Sequence, residues 1–323
     1  MKILTNLIAN KDCLQDYCDK EKLNNFLTEC NLDGYEIICA GDYPKEIDNS
    51  KVVGVHLPFF NTWLDLYNQN TEKLIKEFGS KAVWEDFYGS DSFDFLYKQF
   101  EQQLNFAQQI GAEYVVMHVC EISSTETLTG EFSYTDKEVI DATCQVANKL
   151  FKDKNYSFTL LLENLWWQGF NFTDAEITKY MLDSIEYPNK GIMLDIGHLM
   201  HTNKALRSWD DAAEYIHKML DLHSELLHYV KGVHLHGTLE GEFAQRFYDN
   251  GVPIEQDFWK RFAQAYDYVL RVDSHRPFEH ESVKEIIEKI NPDWLVYELS
   301  DKTMEDRKVS VNLQNKMLNI IIR

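Results

Sequence analysis

Eight short apolar runs recur along this chain and constrain its fold more than any other feature. They cover residues 2–8, 35–40, 52–58, 114–120, 158–164, 191–197, 230–236 and 295–299. Most are continuously hydrophobic rather than alternating, the pattern of parallel strands covered on both faces. Helix signals separate most of them. Phe93, Leu96, Phe100, Leu104 and Ala107 recur at helical spacing, and Gly111 stands where that helix should stop. Thr135-x-x-Glu138, Thr173-x-x-Glu176 and Ser282-x-x-Glu285 read as capping boxes. Val283, Ile286, Ile287 and Ile290 form a stripe that ends before Pro292. Strand alternating with helix eight times predicts an α/β fold, a closed parallel (β/α)8 TIM barrel with its active site at the C-terminal strand ends. An open doubly wound sheet is the alternative that periodicity leaves.

A barrel of this kind accounts for all 323 residues as one domain, with 239–272 as a candidate lid insertion. Six prolines and fourteen glycines are too few for a disordered or fibrous chain. The six cysteines (Cys13, Cys18, Cys30, Cys39, Cys120, Cys144) form no CxxC pair and read as reduced residues of a cytoplasmic protein. The Met1-Lys2-Ile3-Leu4 start reads as a first strand rather than a signal peptide, and no apolar run is long enough to span a membrane.

The polar residues gather where the runs end. His56 closes the third run and His118 the fourth; Glu163 and Asn164 end the fifth. Asp195 and His198, three apart, stand at the end of the sixth; His234 and His236 end the seventh, and Glu298 the eighth. Any one of these reads equally well as a hydrogen-bonded core residue. Six successive strand ends carrying one each do not, because buried carboxylates need partners or cations. Imidazole with carboxylate suits zinc, manganese or iron rather than calcium.

This succession resembles the xylose isomerase-like barrels, a superfamily that includes AP endonuclease family 2 (endonuclease IV) and many sugar isomerases and epimerases. The elements are Val55-His56-Leu57-Pro58, Met117-His118-Val119, Leu162-Glu163-Asn164, Leu194-Asp195-Ile196-Gly197-His198, Val233-His234-Leu235-His236 and Tyr297-Glu298-Leu299. The resemblance spans His56 to Glu298, and Leu-Asp-x-Gly-His is its most specific piece. It implies that Glu163, Asp195, His234 and Glu298 form the shared four-ligand metal site. His56 and His118, sharing Glu163, would hold a second ion. His198 with Asp273-Ser274-His275 would hold a third. Asp273 and His275 otherwise read as a loop pair facing solvent, and His236 as a ligand, a substrate contact or a core histidine.

Two chemistries fit such a set. One or two metals suffice for sugar isomerisation, with carboxylates moving the proton. Three clustered ions suit phosphoester hydrolysis. The complete ligand set favours a metal-dependent hydrolase, with up to three Zn2+ and Mn2+ as the alternative metal, and with Glu163, Glu298 and His198 in the catalytic roles. A sugar or sugar-phosphate isomerase or epimerase is the alternative function.

The formal charge is −21, from 53 acidic residues against 32 lysines and arginines, which argues against duplex DNA as the partner. The loops after the strands carry aromatics instead, with Phe59, Phe60 and Trp63 after His56 and Trp166, Trp167, Phe170 and Phe172 after Glu163. Phe59, Trp166, Trp167 and His236 are the candidate contacts to a small phosphorylated or nucleotide-like substrate. Arg276 is the favoured phosphate contact, ahead of Arg246 and Arg271. Phe258, Phe262, Ala265, Tyr266 and Val269 predict a helix that is either a lid or the barrel's seventh helix. Barrels often assemble as homo-oligomers, though no segment here marks an interface.

Overall fold

All eight apolar runs form strands, and backbone hydrogen bonds join them into a closed, all-parallel barrel. The strands are β1 (Lys2–Ala9), β2 (Gly34–Cys39), β3 (Val52–His56), β4 (Tyr114–His118), β5 (Thr159–Glu163), β6 (Lys190–Asp195), β7 (Val230–Leu235) and β8 (Trp294–Tyr297). Each pairs with its neighbour in sequence, and β8 pairs back to β1, so the open sheet is excluded. The computed structural model describes residues 1–11, 14 and 19–320; Cys13 and Cys18 lie outside them. Cys30, Cys39, Cys120 and Cys144 are free thiols.

Side chains alternate across a strand, and that alternation sets up the site. Leu4, Val53, Tyr114, Val116, Leu161, Met193, Trp294 and Val296 form a core of their own, distinct from the larger core under the helices. They fill the barrel's interior in layers, as parallel barrels require. Glycine makes room in that layer at Gly54, where a Cβ would fall 2.1 Å from the Tyr114 ring.

All but the first of the runs end earlier than the sequence suggests. The sixth stops at Asp195, and Gly197 and His198 belong to a short helix, Ile196–His201. Between β2 and β3 the chain makes only a 3-10 turn, Asn49–Lys51, rather than a full helix. Helix Asp94–Ile110 buries Leu96, Phe100, Leu104 and Ala107 and ends at Gly111, whose φ of 75° favours glycine. Of the three expected capping boxes, only Thr135/Glu138 forms. Asp174 caps helix Ala175–Ser184 in place of Thr173, whose hydroxyl donates to Asn171 Oδ1. Ser282 makes no cap because its hydroxyl pairs with His280 Nδ1.

Three helices lie between β7 and β8: Gly241–Asn250, Phe258–Val272 and Val283–Ile290. Val283–Ile290 packs beside the preceding barrel helix, Trp209–Leu222, and so takes the seventh helix's place. Phe258–Val272 packs instead on Ser124–Thr129, the short helix that follows β4. Its buried face is rotated from the expected one. Phe258, Arg261, Ala265, Tyr268 and Val272 are buried, while Phe262 and Tyr266 are exposed. A buried arginine sets that rotation. Arg261 donates to Ser124 Oγ and to the backbone carbonyls of Glu77, Glu255 and Gln256, and the Glu77 carboxylate accepts from Ser124 and Thr125. No helix among the described residues is long and apolar enough to cross a membrane.

Candidate metal centre

Two positions beyond an interior residue, a strand points inward again. His118 follows Val116, Glu163 follows Leu161, Asp195 follows Met193 and Glu298 follows Val296, so all four rise from the filled interior into the C-terminal mouth. His56 and His234 stand in the same relation to Gly54 and Gly232, whose missing side chains leave room for Tyr114 and Met193.

The donors fall into three groups whose facing ligand atoms lie within 4.8 Å of one another: His56, His118 and Glu163; Glu163, Asp195, His234 and Glu298; and His198, His236, Asp273 and His275. Glu163 joins the first two. Its Oε2 lies 2.9 Å from His56 Nε2 and 3.2 Å from His118 Nε2, while Oε1 lies 3.1 Å from His234 Nδ1. His234 Nδ1 also lies 3.1 Å from Glu298 Oε2. Asp273 Oδ2 faces His275 Nε2 at 2.9 Å and His198 Nε2 at 3.4 Å. The Asp273/His275 pair therefore meets His198 at the site rather than standing in a solvent-facing loop. His236 joins the same group.

The rings are held from behind, which fixes which nitrogen faces inward. His56 Nδ1 donates to Leu57 O at 2.8 Å and His198 Nδ1 to Asn164 O at 2.9 Å. His118 Nδ1 pairs with Asn61 Oδ1 at 3.1 Å. Each then presents Nε2 to the cluster. Asn164 also lashes β5 to β6, donating to Asp195 O and accepting from Asp195 N. Asp195 caps the next helix by accepting from His198 N, so strand end and helix start hold both donors together. The glycine of Leu-Asp-x-Gly-His has a steric reason, because a Cβ on Gly197 would fall 1.9 Å from His236 Cε1.

Glu36 was not among the sequence candidates. It is fully buried on β2, accepts from the Tyr114 hydroxyl at 2.8 Å, and lies 3.0 Å from His234 Nε2. It holds the back of His234 as Asn61 holds His118.

Five buried or nearly buried carboxylates therefore converge: Glu36, Glu163, Asp195, Asp273 and Glu298. Such a group needs compensating positive charge. Without metal, protons on the imidazoles supply it. Burial opposes the charge on Glu163, but His118 and His234 outweigh it and hold the carboxyl well below the usual range. The same opposition leaves Glu298 and Asp273 low, the first beside His234 and His275, the second beside His275 and His198. Burial likewise opposes protonation of the rings, yet Glu36 and Glu298 raise His234 strongly, Asp195 and Asp273 raise His198, and Asp273 raises His275 to about 9. Among the described residues, buried polar atoms without a hydrogen-bond partner include His236 Nδ1, Asp273 Oδ1, Glu298 Oε2 and His201 Nε2, all in this site. Such atoms are expensive unless something binds them. The donor set fits divalent cations.

The remaining candidates divide. Phe59, 51% exposed, stacks on His118 and meets His56 edge-on. Trp166 lies against His198 and His201, while Trp167 is buried beneath Trp166 with ring centroids 4.1 Å apart. Trp63, Phe170 and Phe172 are core residues. Arg276 is exposed, and its carbonyl accepts from Gly237 N. Arg246 and Arg271 pair on the surface with Glu242 and Glu240.

No curated protein matches the sequence closely enough to count as a relative. Solved structures do match in fold. A D-tagatose 3-epimerase-like protein is 19% identical with a TM-score of 0.55, covering 99% of this chain and 98% of its own. Endonuclease IV from Thermus thermophilus is 12% identical with a TM-score of 0.53, covering 99% and 100%. An IOLI protein with a bound zinc atom is 13% identical with a TM-score of 0.52, covering 99% and 98%. The sequence profile of one family matches residues 94–310, well over half of the 323, and the chain belongs to the xylose isomerase-like TIM barrels.

Proposed function

We propose that this protein is a metal-dependent phosphoester hydrolase acting on a small phosphorylated or nucleotide-like substrate. The observation that carries this reading is the third donor group. Sugar isomerisation needs one or two ions, and Glu163, Asp195, His234 and Glu298 with the His56/His118 pair already supply two places. A further group built from His198, His236, Asp273 and His275 has no use in that chemistry. Bound divalent ions, zinc foremost, would supply a water of lowered pKa and neutralise the charge that develops on a phosphoester.

The chain's own residues have definable parts in this. Glu163 holds two donor groups in one rigid relation through its two oxygens. Phe59, 51% exposed against His118, offers a face to a base or sugar ring, and Trp166 lies against His198. Arg276 is exposed, follows His275 directly in the chain, and suits a phosphate oxygen. Duplex DNA fits poorly, given the charge of −21 and the pairing of Arg246 and Arg271 with glutamates.

One observation favours a sugar or sugar-phosphate isomerase or epimerase as the second reading. Glu163 and Glu298 both face His234 Nδ1 from the four-donor group, the placement of two carboxylates that could pass a proton. Elemental analysis of protein purified without chelator separates the two. About three ions per chain, mostly zinc, followed by turnover of phosphodiesters or nucleotides, supports hydrolysis. One ion, with turnover of sugars only, replaces it by isomerisation.

A further inference from the structure

Asp273 is bracketed by imidazoles on both oxygens. His275 and His198 face Oδ2. Oδ1 faces His236 Nε2 at 3.8 Å and His201 Nε2 at 3.9 Å, and it makes no hydrogen bond. His201 is no part of the residue pattern shared with the family.

It stands one turn after His198 on the helix Ile196–His201, and residues three apart on a helix share a face. Trp166 lies against both rings, with centroids 5.1 Å from His198 and 4.8 Å from His201. The His201 side chain is 5% exposed, and its Nε2 has no hydrogen-bond partner. Two unpaired buried atoms thus face each other 3.9 Å apart. That is too far for a hydrogen bond. It is within the span that one cation bridges, since ligands at about 2.0–2.2 Å can lie up to roughly 4 Å apart across an ion.

We propose that His201 is a further ligand of the third group, which makes that group a cradle of four imidazoles around one carboxylate. The inference rests on the reading that these groups hold divalent ions, and it assigns them different work. His201 Nε2 lies beyond the 4.8 Å span that the other four ligand atoms share, so its ring must close in on the ion to bind; five protein donors then leave at most one place for water or substrate, whereas the other two groups, with three and four donors, stay more open. The third ion is then chiefly a fixed charge and an anchor for the chain that follows helix Phe258–Val272. So imidazole-rich a set suits zinc or iron rather than magnesium or calcium.

The test strips the full-length protein of metal and titrates it with Co2+ and, separately, Zn2+. Wild type, His201→Gln and His198→Ala are compared by ion count, chelator competition and the Co2+ visible spectrum. The expected result is three ions in wild type. His201→Gln should keep two unchanged and lose the third at least about tenfold more readily. Its third Co2+ should also absorb more strongly as coordination falls from five to four. In unmutated protein, 15N-histidine spectra should show His201 Nε2 shifting with the same equivalent of zinc as His198 and His275, a readout independent of how the variant folds. A third ion held equally well with an unchanged spectrum, or a His201 signal that ignores zinc, overturns the proposal. Wild type indistinguishable from His198→Ala, with no third ion in either, overturns the third group itself and the hydrolase reading with it.

Discussion

The donors come from two kinds of scaffold. His56, His118, Glu163, Asp195, His234 and Glu298 stand at or just beyond the ends of barrel strands, above a filled interior. Asp273 and His275 hang from the end of helix Phe258–Val272, with His275 at a φ of 46° that a non-glycine residue rarely adopts. The strand-borne half is placed by the sheet, whose geometry leaves little freedom. The other half is placed by contacts that could differ without disturbing the barrel: Thr238 with Val272 O, Gly237 with Arg276 O, and Ser300 with His275 O. Strand ends therefore give a fixed platform, and on the proposed reading the inserted helices would decide whether a third ion can be held.

The largest expected effect breaks the platform itself. Glu163→Gln should abolish activity and release more than one ion, because one carboxylate serves two groups; elemental analysis showing unchanged metal content would remove the cluster model. Next is the insertion. Arg261→Ala strips a 5% exposed guanidinium from its buried partners, a loss of about 3–5 kcal/mol when such a pair is broken. Hydrogen exchange should loosen helix Phe258–Val272 while β3 to β6 keep their protection, and only the third ion should bind more weakly. If all three ions weaken equally, the two scaffolds are not separable.

Glu36→Gln comes third. It acts on the platform from behind His234 and should weaken one ion about 10–100-fold without changing the ion count at saturating zinc. Affinity equal to wild type would make Glu36 a bystander. The smallest effect belongs to pH and to chelated protein alone. His275 keeps its proton to about pH 9 in the folded chain, against about 6.5 unfolded. Its contribution to stability is therefore complete below about 6.5 and is lost as pH rises through about 9. The melting temperature of the metal-free protein, followed by calorimetry, should fall by a few degrees over that window. Zinc-loaded protein should lack the slope, since ligation requires an unprotonated ring.

The same division explains what the sequence revealed. Donors at strand ends were legible because a parallel strand reads as an apolar run, and a polar residue at its end has little else to do there. The Asp273/His275 pair was found by motif alone. Nothing local shows that helix Phe258–Val272 turns Arg261 inward and thereby sets where the chain emerges. Glu36 was missed although it carried a signal, a carboxylate inside Gly34-Tyr35-Glu36-Ile37-Ile38, where an unpaired charge would be costly. Its partners, Tyr114 and His234, are 78 and 198 residues away and could not be paired with it in advance. His201 was passed over for a similar reason, because a second histidine on a short helix gains meaning only once Asp273 is brought opposite it.

The donors of the four-ligand group run from Glu163 to Glu298 along the chain and come from four strands. Chain segments so far apart meet only when the sheet closes, and an unfolded chain has no comparable set of neighbours to offer an ion. A metal bound by this group would therefore meet a finished barrel rather than nucleate its folding. Nearly all of its binding free energy then counts toward the native state, in proportion to the logarithm of free metal over the dissociation constant. If the site holds metal as proposed, the metal-free chain would still be folded, its carboxylates balanced by protons on the imidazoles, but less durable.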